Sequence, residues 1–136
     1  MEKYESKQQR INHPASRIFP VISRMDVMTP AIQDKVEEWR ADADSCSFKF
    51  KGFKIALRIV ERVENNHIKI MADEGCMPLD FAFWVQLHEV DSNDTRIRMV
   101  LHAELNMMLK MMVGGKIKSG LDQAVEGLAN AMNSFA

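Results

Sequence analysis

The side chains through which this chain could do proton-transfer, nucleophilic or metal chemistry are few: His13, His67, His88, His102, Cys46, Cys76 and scattered carboxylates. No H-x-x-x-H or H-E-x-x-H spacing puts two imidazoles on one helix face. The two cysteines stand far apart with no C-x-x-C, which encodes neither a zinc site nor a disulfide framework. They read as small buried or half-buried apolar side chains. His88 and His102 fall on the polar edges of alternating segments and read as solvated. His13, at a helix start, reads as a capping or turn residue, and His67 as a turn residue. Glu37 and Glu61 share the parity of inward-facing neighbours, so burial without a partner would raise their pKa, but both sit near strand ends. Asp91-Ser92-Asn93-Asp94 lacks the glycine and distal glutamate of a calcium loop and reads as a hairpin turn. Gly114-Gly115-Lys116 lacks the upstream glycine and following Ser/Thr of a phosphate-binding loop. Arg58, Arg62, Arg96 and Arg98 read as a solvated outer stripe. No catalytic residue, metal ligand or cofactor is assigned.

The informative constellation is apolar. Trp39, Phe48, Phe50, Ile55, Leu57, Phe81, Phe83, Val85, Met99 and Leu101 project to one face of successive alternating segments. With Met108, Met112, Val113 and Leu121 from the last helix, they form either a packed core or the lining of a ligand pocket. One helix does not fill a wide concave sheet, and that favours the pocket. Met107, Met108, Met111 and Met112 belong to an unusual total of eleven methionines. Unbranched thioethers repack around varied apolar shapes, so this cluster reads as core filling or as a gate over residues 107–113.

The elements that must position these residues follow from changes of period. Residues 3–12 read as an edge strand. His13-Pro14-Ala15-Ser16 starts a short helix capped by Asn12 or His13, which Pro20 should end or bend. Pro30 allows a second helical turn over 29–34. From Lys35 the period is two: six segments alternate apolar and polar residues, as half-buried antiparallel strands require. They are separated by Asp42-Ala43-Asp44-Ser45, Lys51-Gly52, Glu64-Asn65-Asn66-His67 and Asp91-Ser92-Asn93-Asp94, all turn-compatible. The segment 78–89 would span about 40 Å, long enough to coil around something. Ile117, Leu121, Val125, Leu128, Met132 and Phe135 then recur at helical spacing. Gly120, Ala124, Gly127 and Ala131 form a small-residue flank suited to close approach to a sheet. A straight helix would put Lys110 on the apolar stripe, so a break is expected at Gly114-Gly115.

A chain of 136 residues, 46% hydrophobic and 27% charged, fits one domain over residues 1–136 with a sizeable core. Eighteen basic residues nearly balance nineteen acidic ones, so no strong field is expected to recruit nucleic acid or an acidic membrane surface. The first ten residues lack a secretory apolar region, and no apolar run suits a spanning helix; a cytoplasmic protein without stable membrane insertion is expected.

Strand, two short helices, six-strand meander and long C-terminal helix: this order resembles the START-like SRPBCC helix-grip superfamily, and most of all its polyketide cyclase/dehydrase group. His13-Pro14-Ala15-Ser16-Arg17-Ile18-Phe19-Pro20-Val21-Ile22 is similar to the superfamily's first-helix pattern of a proline, a small or acidic residue and a buried phenylalanine. Met111-Met112-Val113-Gly114-Gly115-Lys116 is similar to its entry into the last helix. The resemblance covers essentially the whole chain. It implies an α+β fold, with a curved antiparallel sheet of about seven strands wrapped round the last helix and a cavity between them. Transporters, cyclases, hydrolases, chaperone activators and quinone carriers share that fold, so the resemblance implies no single activity. The expected function is binding or carrying of a small hydrophobic ligand by a monomer or weak homodimer. The alternatives are a polyketide cyclase-like enzyme, or a chaperone-activator type of interaction module using the sheet's outer face, where Trp84 is the only bulky residue.

Overall fold

Period-two alternation from Glu37 to Ala103 becomes six antiparallel strands in the computed structural model, which describes residues 2–50, 52–73 and 80–134, the side chains at 28, 31, 32, 109 and 113 excepted. They are β3 (Glu37–Ala41), β4 (Ser45–Phe50), β5 (Phe53–Val63), β6 (His67–Ala72), β7 (Phe81–Asp91) and β8 (Asp94–Ala103). Two short strands, β1 (Glu2–Glu5) and β2 (Gln9–Ile11), both pair with β8, giving an eight-stranded sheet in the order β1-β8-β7-β6-β5-β4-β3. The expected single edge strand over residues 3–12 is thus divided. At the division the Ser6 hydroxyl accepts the Met99 N–H at 2.9 Å, and the Ser6 N–H donates to the Met99 carbonyl. A side chain therefore completes the ladder where the backbone turns away.

The turns follow their chemistry. Asp42 Oδ1 accepts the backbone N–H groups of Asp44 and Ser45 at 2.8 Å, and these bonds hold its carboxyl below the usual range. Asn65 sits at φ 61 and Gly52 at φ 82, as tight hairpins demand. Asp91 accepts the N–H of Asn93, the hairpin turn expected there.

Helix α1 (Ala15–Ile22) buries Ala15, Ile18, Phe19 and Ile22 against the sheet. Two expectations for it need correction. Its N-cap is Pro14, which has no capping side chain, and the Ala15 N–H is satisfied instead by Glu89 Oε1 at 2.8 Å. Pro20 lies inside the helix, which ends two residues later at Ile22 and not at the proline. A 3₁₀ turn (Met25–Met28) and α2 (Thr29–Ile32) follow.

Helix α3 (Met107–Asn133) runs unbroken through Gly114-Gly115, against the break expected there. The conflict at Lys110 is resolved by an ion pair instead: its Nζ lies 3.0 Å from Glu2 Oε1. Leu121, Val125, Ala129 and Met132 form its buried stripe, while Gly120, Ala124, Gly127 and Ala131 face solvent and not the sheet. A polar seam ties α3 to the first strands. The Lys7 N–H donates to Asp122 Oδ1 at 2.6 Å, and the Asn12 N–H to Asn133 Oδ1 at 2.7 Å. His13 Nε2 meets the Met132 carbonyl at 3.1 Å, closing the far end of α3 and not capping α1.

A Cβ added at Gly120 or Gly127 meets nothing within 4 Å, and neither residue has positive φ. Gly120→Ala and Gly127→Ala are each expected to stabilise the protein by about 0.4–1 kcal/mol, by narrowing the unfolded ensemble. Urea denaturation of the two variants checks this; destabilisation would mean that a partner occupies this helix face.

Candidate functional site: the open end of the trough

The concave face changes character along its length. On paired strands β7 and β8, Leu87 opposes Ile97 and Val85 opposes Met99, all at most 7% exposed. The next inward pair, Phe83 and Leu101, is only half-buried, as is Phe81. On β5, Ile59 is buried, Leu57 and Ile55 are half-buried, and Phe53 is 55% exposed. Along α3, Val125 and Leu121 are buried and Ile117 is half-buried, while Met107, Met108, Met111 and Met112 are 63–82% exposed. Three elements thus show the same gradient in the same direction. The concave face is a trough, plugged at one end by α1 and the second half of α3 and open at the other.

Of the residues expected to bind a ligand, Val85, Met99 and Leu121 therefore lie in the packed end. Trp39, Phe48, Leu57, Phe81, Phe83 and Leu101 gather, half-buried, toward the open end, with Phe50, Met108 and Met112 at its rim. The side chain of Val113 lies outside the described ones. Residues 74–79, with Cys76 and the expected start of the long strand, and Phe135 also lie outside the described residues.

Local irregularities aim several of these groups. Register shifts between Glu37 and Arg40, and Glu38 adopts φ 55, an unusual conformation for a side chain with a Cβ. Trp39 beside it stacks against Phe48, ring centroids 5.8 Å apart, and donates Nε1–H to Thr29 Oγ1 at 2.8 Å. A second shift, between Ile59 and Glu61, reverses parity for the rest of β5. Glu61 consequently pairs opposite Lys69 on the outer face and lies 3.1 Å from His67, so it is not an inward acid. Arg62 comes opposite inward-facing Ile68, so it leaves the outer stripe in which the sequence placed it. It donates to the carbonyls of Ser23 and Ala43 and to Asp44, clamping the end of α1 to the β3–β4 turn.

Tyr4 was missed. On β1 it pairs opposite Leu101 and packs on the core, with its hydroxyl 3.6 Å from where a Gly114 Cβ would stand. The only signal was its parity between Lys3 and Glu5. Lys110 is close by, and its hydrogen bond to Glu2 raises its pKa. It remains an ammonium, suited to holding an anion and not to acting as a nucleophile or base. Cys46 is buried, and desolvation pushes its thiol up to about 11, so it is inert. Glu37 is exposed and faces Lys49 across the strands. His88 is exposed as expected, but His102 is half-buried, edge-on to Trp84 at 4.7 Å. Among the described residues no three His, Cys, Asp or Glu side chains group as a metal site.

No protein-family model and no curated protein matches the sequence. Solved structures do match. The Aha1 dimer from Colwellia psychrerythraea superposes with a TM-score of 0.68 at 15% identity, covering 98% of each chain. Norcoclaurine synthase from Thalictrum flavum, in complex with dopamine and hydroxybenzaldehyde, gives 0.71 at 12% identity over 97% of this chain and 84% of its own. The chain has an α+β helix-grip fold in common with these structures. The XoxI protein from Bacillus cereus gives 0.66 at 10% identity over 98% and 97%. Identities this low carry the shared architecture and no activity. No described helix is long and apolar enough to cross a membrane.

Proposed function

We propose that this protein binds a small apolar molecule in the open half of its trough. The observation that carries the reading is the shared gradient of burial on β5, β7–β8 and α3, which leaves aromatic and aliphatic side chains half-buried around one mouth. Six of the eleven large apolar side chains exposed among the described residues, Phe50, Phe53 and the four methionines, stand at that end. A monomeric protein leaves so much apolar surface in one place when something else covers it. The norcoclaurine synthase match was solved with two small aromatic molecules, which supports a ligand of that size in the present trough.

The enzyme reading has less support. Beside the open half, the Tyr4 hydroxyl stands near a Lys110 already paired with Glu2, and at the rim Glu38 is paired with Lys49, neither of which is an acid–base couple aimed into the trough. An interaction module using the outer face also has less, since Trp84 there is covered by His102 and by Lys69, whose Nζ lies 5.3 Å from the ring centroid. Titration with N-phenyl-1-naphthylamine tests the binding reading. Saturable binding is expected, and Met108→Leu with Met112→Leu is expected to shift preference among apolar probes with less than about 1.5 kcal/mol change in stability. Fluorescence that never saturates, with no apolar molecule co-purifying in native mass spectrometry, would overturn the reading.

A further inference from the structure

The net charge of −1 conceals a local asymmetry at the same open end. From Ser45 to Val60 the chain carries Lys49, Lys51, Lys54 and Arg58 and no acid. The hairpin sequence Phe48-Lys49-Phe50-Lys51-Gly52-Phe53-Lys54 interleaves cations with phenylalanines, and strand parity sorts them. Phe50 and Phe53 are cross-strand partners on the concave side, 44% and 55% exposed, and Lys49 and Lys54 are partners on the convex side. Beside them lies a hollow of about 420 Å³ whose polar lining is Arg40, Ser47, Lys49, Lys54 and one acid, Glu38. Lys49 has Glu38 at 3.7 Å and Glu37 as its cross-strand partner, and Arg58 pairs with Asp73, while Arg40 and Lys54 make no ion pair among the described residues. Across the mouth stand the four exposed methionines.

We propose that this end of the molecule docks on an anionic phospholipid surface. Phe50 and Phe53 enter the boundary between headgroups and acyl chains, and Arg40, Lys49 and Lys54 hold lipid phosphates in and beside the hollow. Each cation near such a surface contributes roughly fivefold in affinity, too little alone, and the apolar tip supplies the second signal that reversible anchoring requires. The thioether side chains favour hydrocarbon over nucleic-acid bases, for which they offer no stacking plane. That the trough receives its ligand from the bilayer rests on the ligand-binding reading; the docking itself does not.

Co-sedimentation with vesicles of phosphatidylcholine alone, and of phosphatidylcholine with about one-third phosphatidylglycerol, tests the docking at near-physiological salt. The full chain is expected to bind the anionic vesicles at least about tenfold more tightly than the neutral ones. Lys49→Gln with Lys54→Gln is expected to weaken anionic binding roughly 25-fold while leaving the affinity for N-phenyl-1-naphthylamine unchanged. Phe50→Ser with Phe53→Ser, at exposed positions and checked by thermal melting, is expected to weaken it at least about tenfold. The proposal is overturned by equal binding to both vesicles, by insensitivity to both double variants, by tighter binding to a single-stranded oligonucleotide, or by a dimer that buries the hairpin. Vesicle binding absent with probe binding intact removes the docking alone. Probe binding absent with vesicle binding intact removes the ligand reading alone.

Discussion

Alanine in place of Phe83 is expected to cost only about 1–2 kcal/mol of stability while weakening apolar-probe binding at least about tenfold. The same truncation at a fully packed phenylalanine costs about 3–5 kcal/mol, because the lost transfer energy is joined by the energy of the cavity left behind. Phe83 is half-buried and faces the open half of the trough, so part of its ring never left water and little cavity can form. Ile97, two residue pairs away on the same concave face, is 0% exposed. Ile97→Ala is therefore expected to cost about 2–5 kcal/mol, the reverse of the order that side-chain size alone suggests, and to leave probe affinity nearly unchanged. Urea denaturation and probe titration on the two variants measure both quantities. A loss of 3–5 kcal/mol at Phe83 with unaltered probe binding would show that the trough is ordinary core.

The second large effect is expected at Arg62. Its guanidinium donates to two backbone carbonyls and a carboxylate on segments far apart in sequence, at 2.8–3.1 Å. Arg62→Ala leaves the Ser23 and Ala43 carbonyls without that donor and frees the end of α1. Hydrogen bonds to a charged group contribute about 1.5–3 kcal/mol, and the side chain is still 35% exposed, so a loss of about 2 kcal/mol is expected. Arg58 lies before the strand irregularity, on the outer face, 3.2 Å from Asp73 with both side chains partly exposed. Arg58→Ala is expected to change stability by less than about 1 kcal/mol. Thermal or urea unfolding of the pair settles the comparison; equal losses would mean that Arg62 is an ordinary surface cation.

These arginines also mark where sequence reasoning stops. Parity correctly assigns Phe83, Met99 and Leu101 to the concave face and His88 and Arg98 to the convex one, because uninterrupted strands leave alternation no freedom. One extra residue at Val60 reverses the assignment for Glu61 and Arg62, and nothing in the local composition announces it. The di-glycine at Gly114-Gly115 reads as a break, yet the helix continues, because tertiary packing outweighs a propensity cost of about 1 kcal/mol per glycine. The charge balance of the whole chain likewise hides the basic hairpin tip, since a sum over residues carries no positions.

Period two from Glu37 to Ala103, period 3.6 after Asn106 and the turn residues between them suffice to specify an antiparallel meander followed by a long helix, because those patterns are properties of neighbouring residues. Which half of the concave face is filled, and which stays open, depends on where α1 and α3 come to lie across the strands. Glu89 on the α1 N-terminus, His13 on the α3 C-terminus and Lys110 on Glu2 fix those positions. Each contact joins residues 74 or more positions apart, and no local pattern encodes a pairing at that distance. The tertiary structure alone therefore decided that the same apolar parity means core at Ile97 and an accessible wall at Phe83.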